Sequence, residues 1–134
     1  MARILLIGGH AASLINFRGP LISALVKRGF DVHVVAPRLT ANTGITDRLR
    51  ELGAICHDVP LARVGQNPLA DLRAFIALVA LMRRIAPDIV LGYTIKPVIW
   101  GTLAGWQAGV PKRFALITGL GYAFTGEATG KRAL

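Results

Sequence analysis

The chain has 134 residues, a length that suits one compact domain. It is 53% hydrophobic, which excludes a disordered polar chain, and no run of about 18 uncharged apolar residues is present to cross a membrane. Lys and Arg number 16 against 7 Asp and Glu, so the partners that fit the charge are nucleic acid, an anionic membrane surface or a phosphorylated ligand.

Arg3–Ile7 is a short apolar run of the kind that forms a buried parallel strand. The stretch from Met1 is too brief for a signal-peptide core, because Gly8-Gly9-His10 ends it. The paired glycines allow a backbone to approach a phosphate with exposed N–H groups, or simply make a tight turn. They do not form the dinucleotide fingerprint G-x-G-x-x-G, and no P-loop lysine follows, which demotes NAD binding and NTP hydrolysis. Leu14, Phe17, Leu21 and Leu25 then recur at helical spacing up to Gly29. Pro20 interrupts that pattern and marks an alternative helix start, with 13–19 as an ordered loop.

Asp31–Ala36 reads as the second strand, 38–44 as a loop, Thr46–Leu52 as a short helix ended by Gly53, and Ala54–His57 as the third strand. Cys56 is the single cysteine, so no internal disulfide forms, and its apolar run predicts a buried, inert thiol in a reducing compartment. Three scattered histidines and one cysteine have no metal-ligand spacing. After a loop over 58–67, Pro68 opens the longest helix, about 69–86. Its inward stripe is read as Leu69, Leu72, Phe75, Ile76, Val79 and Met82, widened by Leu78, Leu81 and Ile85. With Arg73, Arg83 and Arg84, that width suggests a membrane-facing amphipathic patch, set against the commoner solvated helix face.

Asp88–Gly92 is the fourth strand and Tyr93-Thr94-Ile95-Lys96-Pro97 follows it, before a helix from about Val98 to Ala108. A hydroxyl pair and a lysine thus stand where a parallel strand ends and a helix begins, the edge at which open α/β sheets bind ligands. Lys96 faces the positive end of a helix dipole, a conflict that an anionic ligand relieves, set against a solvated lysine that simply points away. Gly101, Ala104, Gly105 and Ala108 share one side of that helix, where close packing on the sheet is the ordinary explanation. Arg113–Ile117 is the fifth strand, followed by the Gly-rich loop Thr118–Gly126 with Gly119, Gly121, Tyr122 and Phe124.

The alternation predicts an α/β, Rossmann-like, open and mainly parallel sheet with helices on both faces. Right-handed crossovers then bring three loops, 8–16, 93–97 and 118–126, to one edge of the sheet. No serine elbow or paired carboxylates mark a catalytic centre, and the acids sit where capping accounts for them.

The runs Ser13-Leu-Ile-Asn-Phe-Arg-Gly-Pro-Leu21, Lys27-Arg-Gly-Phe-Asp-Val-His-Val34, Tyr93-Thr-Ile-Lys-Pro97 and Ile117-Thr-Gly-Leu-Gly-Tyr-Ala-Phe124 resemble bacterial family four glycosyltransferases. The likeness is to the subgroup that builds capsule, O-antigen (lipopolysaccharide) or other polyprenol-linked glycans. It implies the N-terminal half of a GT-B fold, with 1–126 as an acceptor-binding domain and 127–134 leading towards a C-terminal nucleotide-sugar domain. The implied partners are a lipid-linked glycan acceptor, a nucleotide-sugar held by that second domain, and the inner face of the plasma membrane. Self-association is expected of an exposed half, whereas nucleic acid, cofactor and metal are not. The resemblance places Gly8, Gly9 and His10 opposite the donor diphosphate. It places Asn16, Tyr93, Thr94, Lys96, Thr118, Gly119, Gly121 and Tyr122 at the acceptor, and it names no catalytic base. The chain alone is expected to be inactive as a hexosyltransferase. The rival readings are a non-catalytic subunit of a split transferase and a basic α/β nucleic-acid binder.

Overall fold

The computed structural model describes residues 2–9, 11–16, 18–59, 68–93 and 95–116. Their order is β1 (Arg3–Ile7), α1 (Ala11–Asn16), α2 (Gly19–Lys27), β2 (Asp31–Ala36), α3 (Thr43–Leu52), β3 (Ile55–Asp58), α4 (Pro68–Ile85), β4 (Ile89–Tyr93), α5 (Ile95–Ala108) and β5 (Lys112–Leu116). The five strands form one parallel sheet in the order β3-β2-β1-β4-β5. This is the doubly wound arrangement, in which the direction of strand addition reverses at the β1–β4 boundary.

Period-2 alternation splits the strands between two cores. Leu5, Ile7, Val35 and Val90 face α4 and α5. Ile4, Leu6, Val32, Val34 and Ala36 face the layer of α1, α2 and α3. Strand β1 is therefore buried on both faces, which is why it reads as an unbroken apolar run.

Local chemistry sets the element ends. Pro20 lies in the first turn of α2. Residues 11–16, expected as part of one helix or as loop, form the separate helix α1. Helix α3 starts three residues before the expected Thr46, because Asn42 caps it, its side chain accepting the Ile45 N–H at 3.2 Å. Gly53 ends it with φ 101°, and a Cβ there would stand 2.8 Å from Val26 Cγ1, so the turn needs glycine on two counts. Strands β3, β4 and β5 lie within a residue of their expected bounds. On α5, a Cβ at Gly101 would lie 2.7 Å from Ile7 Cδ1, so the small residues there let the helix approach the sheet.

The expected stripe of α4 requires correction. Ala74, Leu78, Val79, Leu81, Met82 and Ile85 are the buried residues, whereas Leu69, Leu72 and Ile76 are 74%, 53% and 58% exposed. The helix is apolar almost all round, so periodicity alone did not choose a face. The sheet takes the side carrying Ala74, whose small side chain permits close approach. Phe75 turns sideways and meets Trp100 of α5 edge-on, with ring centroids 6.0 Å apart.

At the N-terminal edge of the sheet, Arg3 ties three elements together. Its Nε pairs with Asp31 at 3.1 Å and its Nη1 donates to the Ile85 carbonyl at 2.6 Å. Its backbone N–H donates to the Asp88 carboxylate at 2.8 Å. Nearby, His33 Nδ1 and His57 Nε2 stand 2.9 Å apart with their rings stacked, so one ring donates and the other accepts. The other ring nitrogen of His33 lies 3.4 Å from Asp31. Burial, then the charges of His33 and Arg84, hold the His57 pKa below its ordinary 6.5. Burial likewise pushes the Cys56 thiol up, with Arg50 opposing and Asp58 adding to the shift, in keeping with an inert side chain.

Two measurements check this arrangement. In urea unfolding, Leu78→Ala costs about 2–5 kcal/mol, while Leu72→Ala changes stability by less than about 0.5 kcal/mol; the reverse ranking would mean that α4 is turned the other way. The depressed His57 pKa means that the unfolded chain binds more protons just below pH 6.5. Stability is therefore full above that pH and falls as the pH drops towards the folded-state value. Thermal scans show this loss for the wild-type chain and a flatter profile for His57→Asn.

Candidate functional site

Strands β1 and β4 are neighbours, but the helices that follow them lie on opposite faces of the sheet. The chains leaving them separate and open a crevice at their carboxyl ends, the position where doubly wound sheets hold ligands. Its walls are the turn after β1, the junction of α1 and α2, and the first turn of α5.

Tyr93 lies at the bottom of this crevice. It is the last residue of β4 and is 1% exposed, packed with Leu6, Leu14 and Ile22 in the core that faces α1 and α2. Tyr93, expected at the acceptor, is thus almost wholly shielded from solvent. Its ring is a buried support for the rim. A Cβ at Gly8 would meet Tyr93 Oη at 2.5 Å and Cζ at 3.0 Å. Gly8 is bare because the tyrosine fills the space a side chain would need. Its N–H donates to the Val35 carbonyl at 2.9 Å, and both Gly8 and Gly9 are buried. The Gly8 N–H, expected as an exposed donor, is thus already used by the sheet.

Arg18, which sequence reasoning passed over, lies over the Tyr93 ring. Its guanidinium carbon is 4.8 Å from the tyrosine ring centroid. The residue is half-buried and forms the N-cap of α2, its carbonyl accepting the Ile22 N–H at 2.9 Å. The available signal was a cation directly before a helix-opening Gly19-Pro20 on the ligand-bearing edge. Asn16 is exposed at the end of α1, and Lys96 belongs to the first turn of α5. His10, Thr94, Thr118, Gly119, Gly121 and Tyr122 lie outside the described residues. Arg73, Arg83 and Arg84 are exposed on α4, with the last two in its final turn.

The rim loop after β2 is pinned from below. Leu39 is buried, and Thr40 donates its backbone N–H to Asp58 at 2.8 Å and its hydroxyl to the same carboxylate. Arg38, directly before them, is exposed with φ 56°, a conformation uncommon for a residue with a Cβ.

A 3-2-1-4-5 parallel sheet with helices on both faces defines a Rossmann-like α/β domain, and Arg18 lies beside its point of reversal. The residue pattern described as glycosyl transferase 4-like matches residues 3–134, and the chain belongs to that family. A curated relative from Campylobacter jejuni, N,N'-diacetylbacillosaminyl-diphospho-undecaprenol alpha-1,3-N-acetylgalactosaminyltransferase, is 34% identical over 113 residues. That match covers 84% of this chain and 29% of the relative, so the chain spans about three tenths of the length of that enzyme. Among solved structures, a UDP-N-acetylglucosamine 2-epimerase superposes with a TM-score of 0.66 at 18% identity, over 99% of this chain and 37% of that one. MurG from Acinetobacter baumannii superposes at 0.61 with 20% identity, over 85% of this chain and 33% of its own. These likenesses establish the fold.

The Gly8–Tyr93 contact yields a test of the crevice floor. Gly8→Ala destabilises the chain by about 1–3 kcal/mol through overpacking. Tyr93→Phe removes the hydroxyl that the new methyl meets. In a double-mutant cycle the pair is therefore less damaging than the sum of the two single changes. Strict additivity would show that the two residues do not touch.

Proposed function

We propose that this chain is the acceptor-side, N-terminal domain of a retaining glycosyltransferase of the GT-B type. The complete enzyme moves a sugar from a nucleotide-sugar to a polyprenyl-diphosphate-linked glycan during cell-surface polysaccharide synthesis. The observation that carries the reading is the 34% identity, across 84% of this chain, to a transferase whose name specifies a diphospho-undecaprenol acceptor. The crevice chemistry agrees with it. Such an acceptor brings a diphosphate, and Arg18 offers a guanidinium beside the switch point, half-buried and held in place by the Tyr93 ring. The first turn of α5 adds backbone N–H groups and the positive end of a helix dipole, with Lys96 in the same turn.

In this reading the domain contributes position and charge. Arg18 and the α5 terminus hold the acceptor's diphosphate, and Asn16 meets its sugar portion at the rim. The acceptor hydroxyl is thereby presented towards a nucleotide-sugar seated in a second domain across the cleft. Catalysis then rests on orientation and on stabilising the departing nucleoside diphosphate with donors from both walls. Without that second domain no sugar is transferred.

The test is binding of a short-chain prenyl-diphosphate-linked sugar by the full chain, followed by calorimetry. Removing one charge-assisted contact costs about 1.5–3 kcal/mol, so Arg18→Ala weakens binding by at least roughly tenfold, with little change in the urea midpoint. Arg18→Lys, which keeps charge but loses the planar fork, recovers only part of the affinity. The reading fails if the wild-type chain does not bind the diphosphate ligand, or if Arg18→Ala binds it equally well.

A further inference from the structure

After β2 the chain turns sharply. Ala36, Pro37, Arg38 and Leu39 form a four-residue turn, closed by the Leu39 N–H donating to the Ala36 carbonyl at 3.3 Å. Pro37 holds the second position and Arg38 the third, where φ is 56°. A proline followed by a left-handed residue is the pattern of a type II turn, whose third position takes glycine or asparagine. An arginine there brings its Cβ towards the following carbonyl oxygen. Among the described residues one other non-glycine has a positive φ, Ala86 at 55°. Ala86 closes α4, its N–H donating to the Met82 carbonyl at 2.7 Å, and a left-handed residue is a usual way to end a helix. Arg38 ends no helix, so its conformation has no such cause.

The surroundings hold Arg38 in this conformation while leaving it exposed. Leu39 is buried, and the Thr46 hydroxyl donates to its carbonyl at 2.7 Å. Thr40 is tied to Asp58 through both its N–H and its hydroxyl. Among the described residues no carboxylate pairs with Arg38. Strained residues persist where the structure around them over-determines them, and they cluster at ligand sites. The location agrees with that rule. Strands β2 and β4 are the two neighbours of β1, so at about 4.8 Å per strand their carboxyl ends stand roughly 10 Å apart. Arg18 lies over Tyr93 at the end of β4, and Arg38 follows the end of β2.

We propose that Arg38 is a second anion-binding residue of the crevice, gripping from the β2 side a diphosphate that Arg18 holds from the β4 side. A planar guanidinium offers paired N–H donors to phosphate oxygens. The locked turn fixes the base of the side chain before a ligand arrives, so less freedom is lost on binding. The chain gives up some stability at this turn for a placed cation, which glycine would not supply. The inference rests on the reading of the crevice as a diphosphate site. It holds whichever molecule carries that diphosphate, the lipid-linked acceptor or the nucleotide-sugar.

The experiment titrates the full chain by calorimetry with inorganic pyrophosphate, a short-chain prenyl-diphosphate-linked sugar and UDP-N-acetylglucosamine. Arg38→Gly weakens binding of whichever probe the wild-type chain takes by about tenfold or more. The same variant melts a few degrees higher, because glycine relieves the strained turn. Arg38→Asn behaves alike, and Arg38→Lys recovers part of the affinity without the gain in melting temperature. Arg28→Ala removes an equal charge at the exposed C-cap of α2, just before β2 begins at the opposite edge of the sheet, and binds like wild type. An Arg38 dependence seen with pyrophosphate or the UDP-sugar, in a chain that does not take the prenyl probe, upholds this inference while removing the acceptor reading. Four results overturn the inference: no probe bound by the wild-type chain, Arg38→Gly and Arg38→Asn binding as tightly as wild type, Arg28→Ala losing as much affinity as Arg38→Gly, or an Arg38→Gly chain that melts no higher than wild type. The third would make the effect one of net charge, and the fourth would show that the turn carries no strain.

Discussion

The double pairing of β1 organises this domain. One edge of the strand runs against β2 and the other against β4, and its two faces feed two separate cores. Leu5, Leu6 and Ile7 have no contact with solvent. Because β2 and β4 lie on either side of β1, their crossover helices cover opposite faces, and the crevice at the carboxyl edge follows from that geometry. Arg3 reinforces the same strand from below by holding Asp31, the end of α4 and the turn before β4. Ligand edge and structural edge thus stand at the two ends of one strand.

The sheet was largely legible because parallel strands buried on both faces are apolar runs, and Gly or Pro punctuates them. Arg3–Ile7 and Asp31–Ala36 coincide with their expected bounds for that reason. Helix α4 was legible in extent but not in orientation. A helix apolar on nearly every side carries no periodic signal for which side meets the sheet, and Ala74 settles it only through packing. Gly8 and Tyr93 show a different limit. Each looks like a ligand residue when read locally, a glycine for close phosphate approach and a hydroxyl at a strand end. Their relation is one of shape, between positions far apart in the chain, and a hydrophobic pattern does not encode it. Arg18 was missed because nothing around it is periodic. It matters only once Tyr93 is known to lie beneath it.

Basic residues accordingly divide into distinct groups. Arg3 is structural, paired with carboxylate and carbonyl at the N-terminal edge. Arg18 belongs to the crevice. Arg73, Arg83 and Arg84 stand on the outside of α4. A formal excess of positive charge, undivided when read from composition, thus resolves into one residue that holds the sheet together and others placed elsewhere on the fold.

The separation in sequence between the two partners of β1 bears on how the chain comes to be folded. Its β2 partner is near, but the contact from Arg3 to Asp88 spans 85 residues. A ribosome adds 5–20 residues per second, so the β4 side of β1 waits about 4–17 s for its neighbour. During synthesis β1, α1, α2, β2 and α3 can assemble as a half-sheet whose most apolar strand has one row of backbone donors and acceptors open. The central strand of the finished protein is, for that interval, an edge strand. The nascent half-domain is most exposed to wrong pairing there, and its escape from aggregation depends on how soon Ile89–Tyr93 arrives.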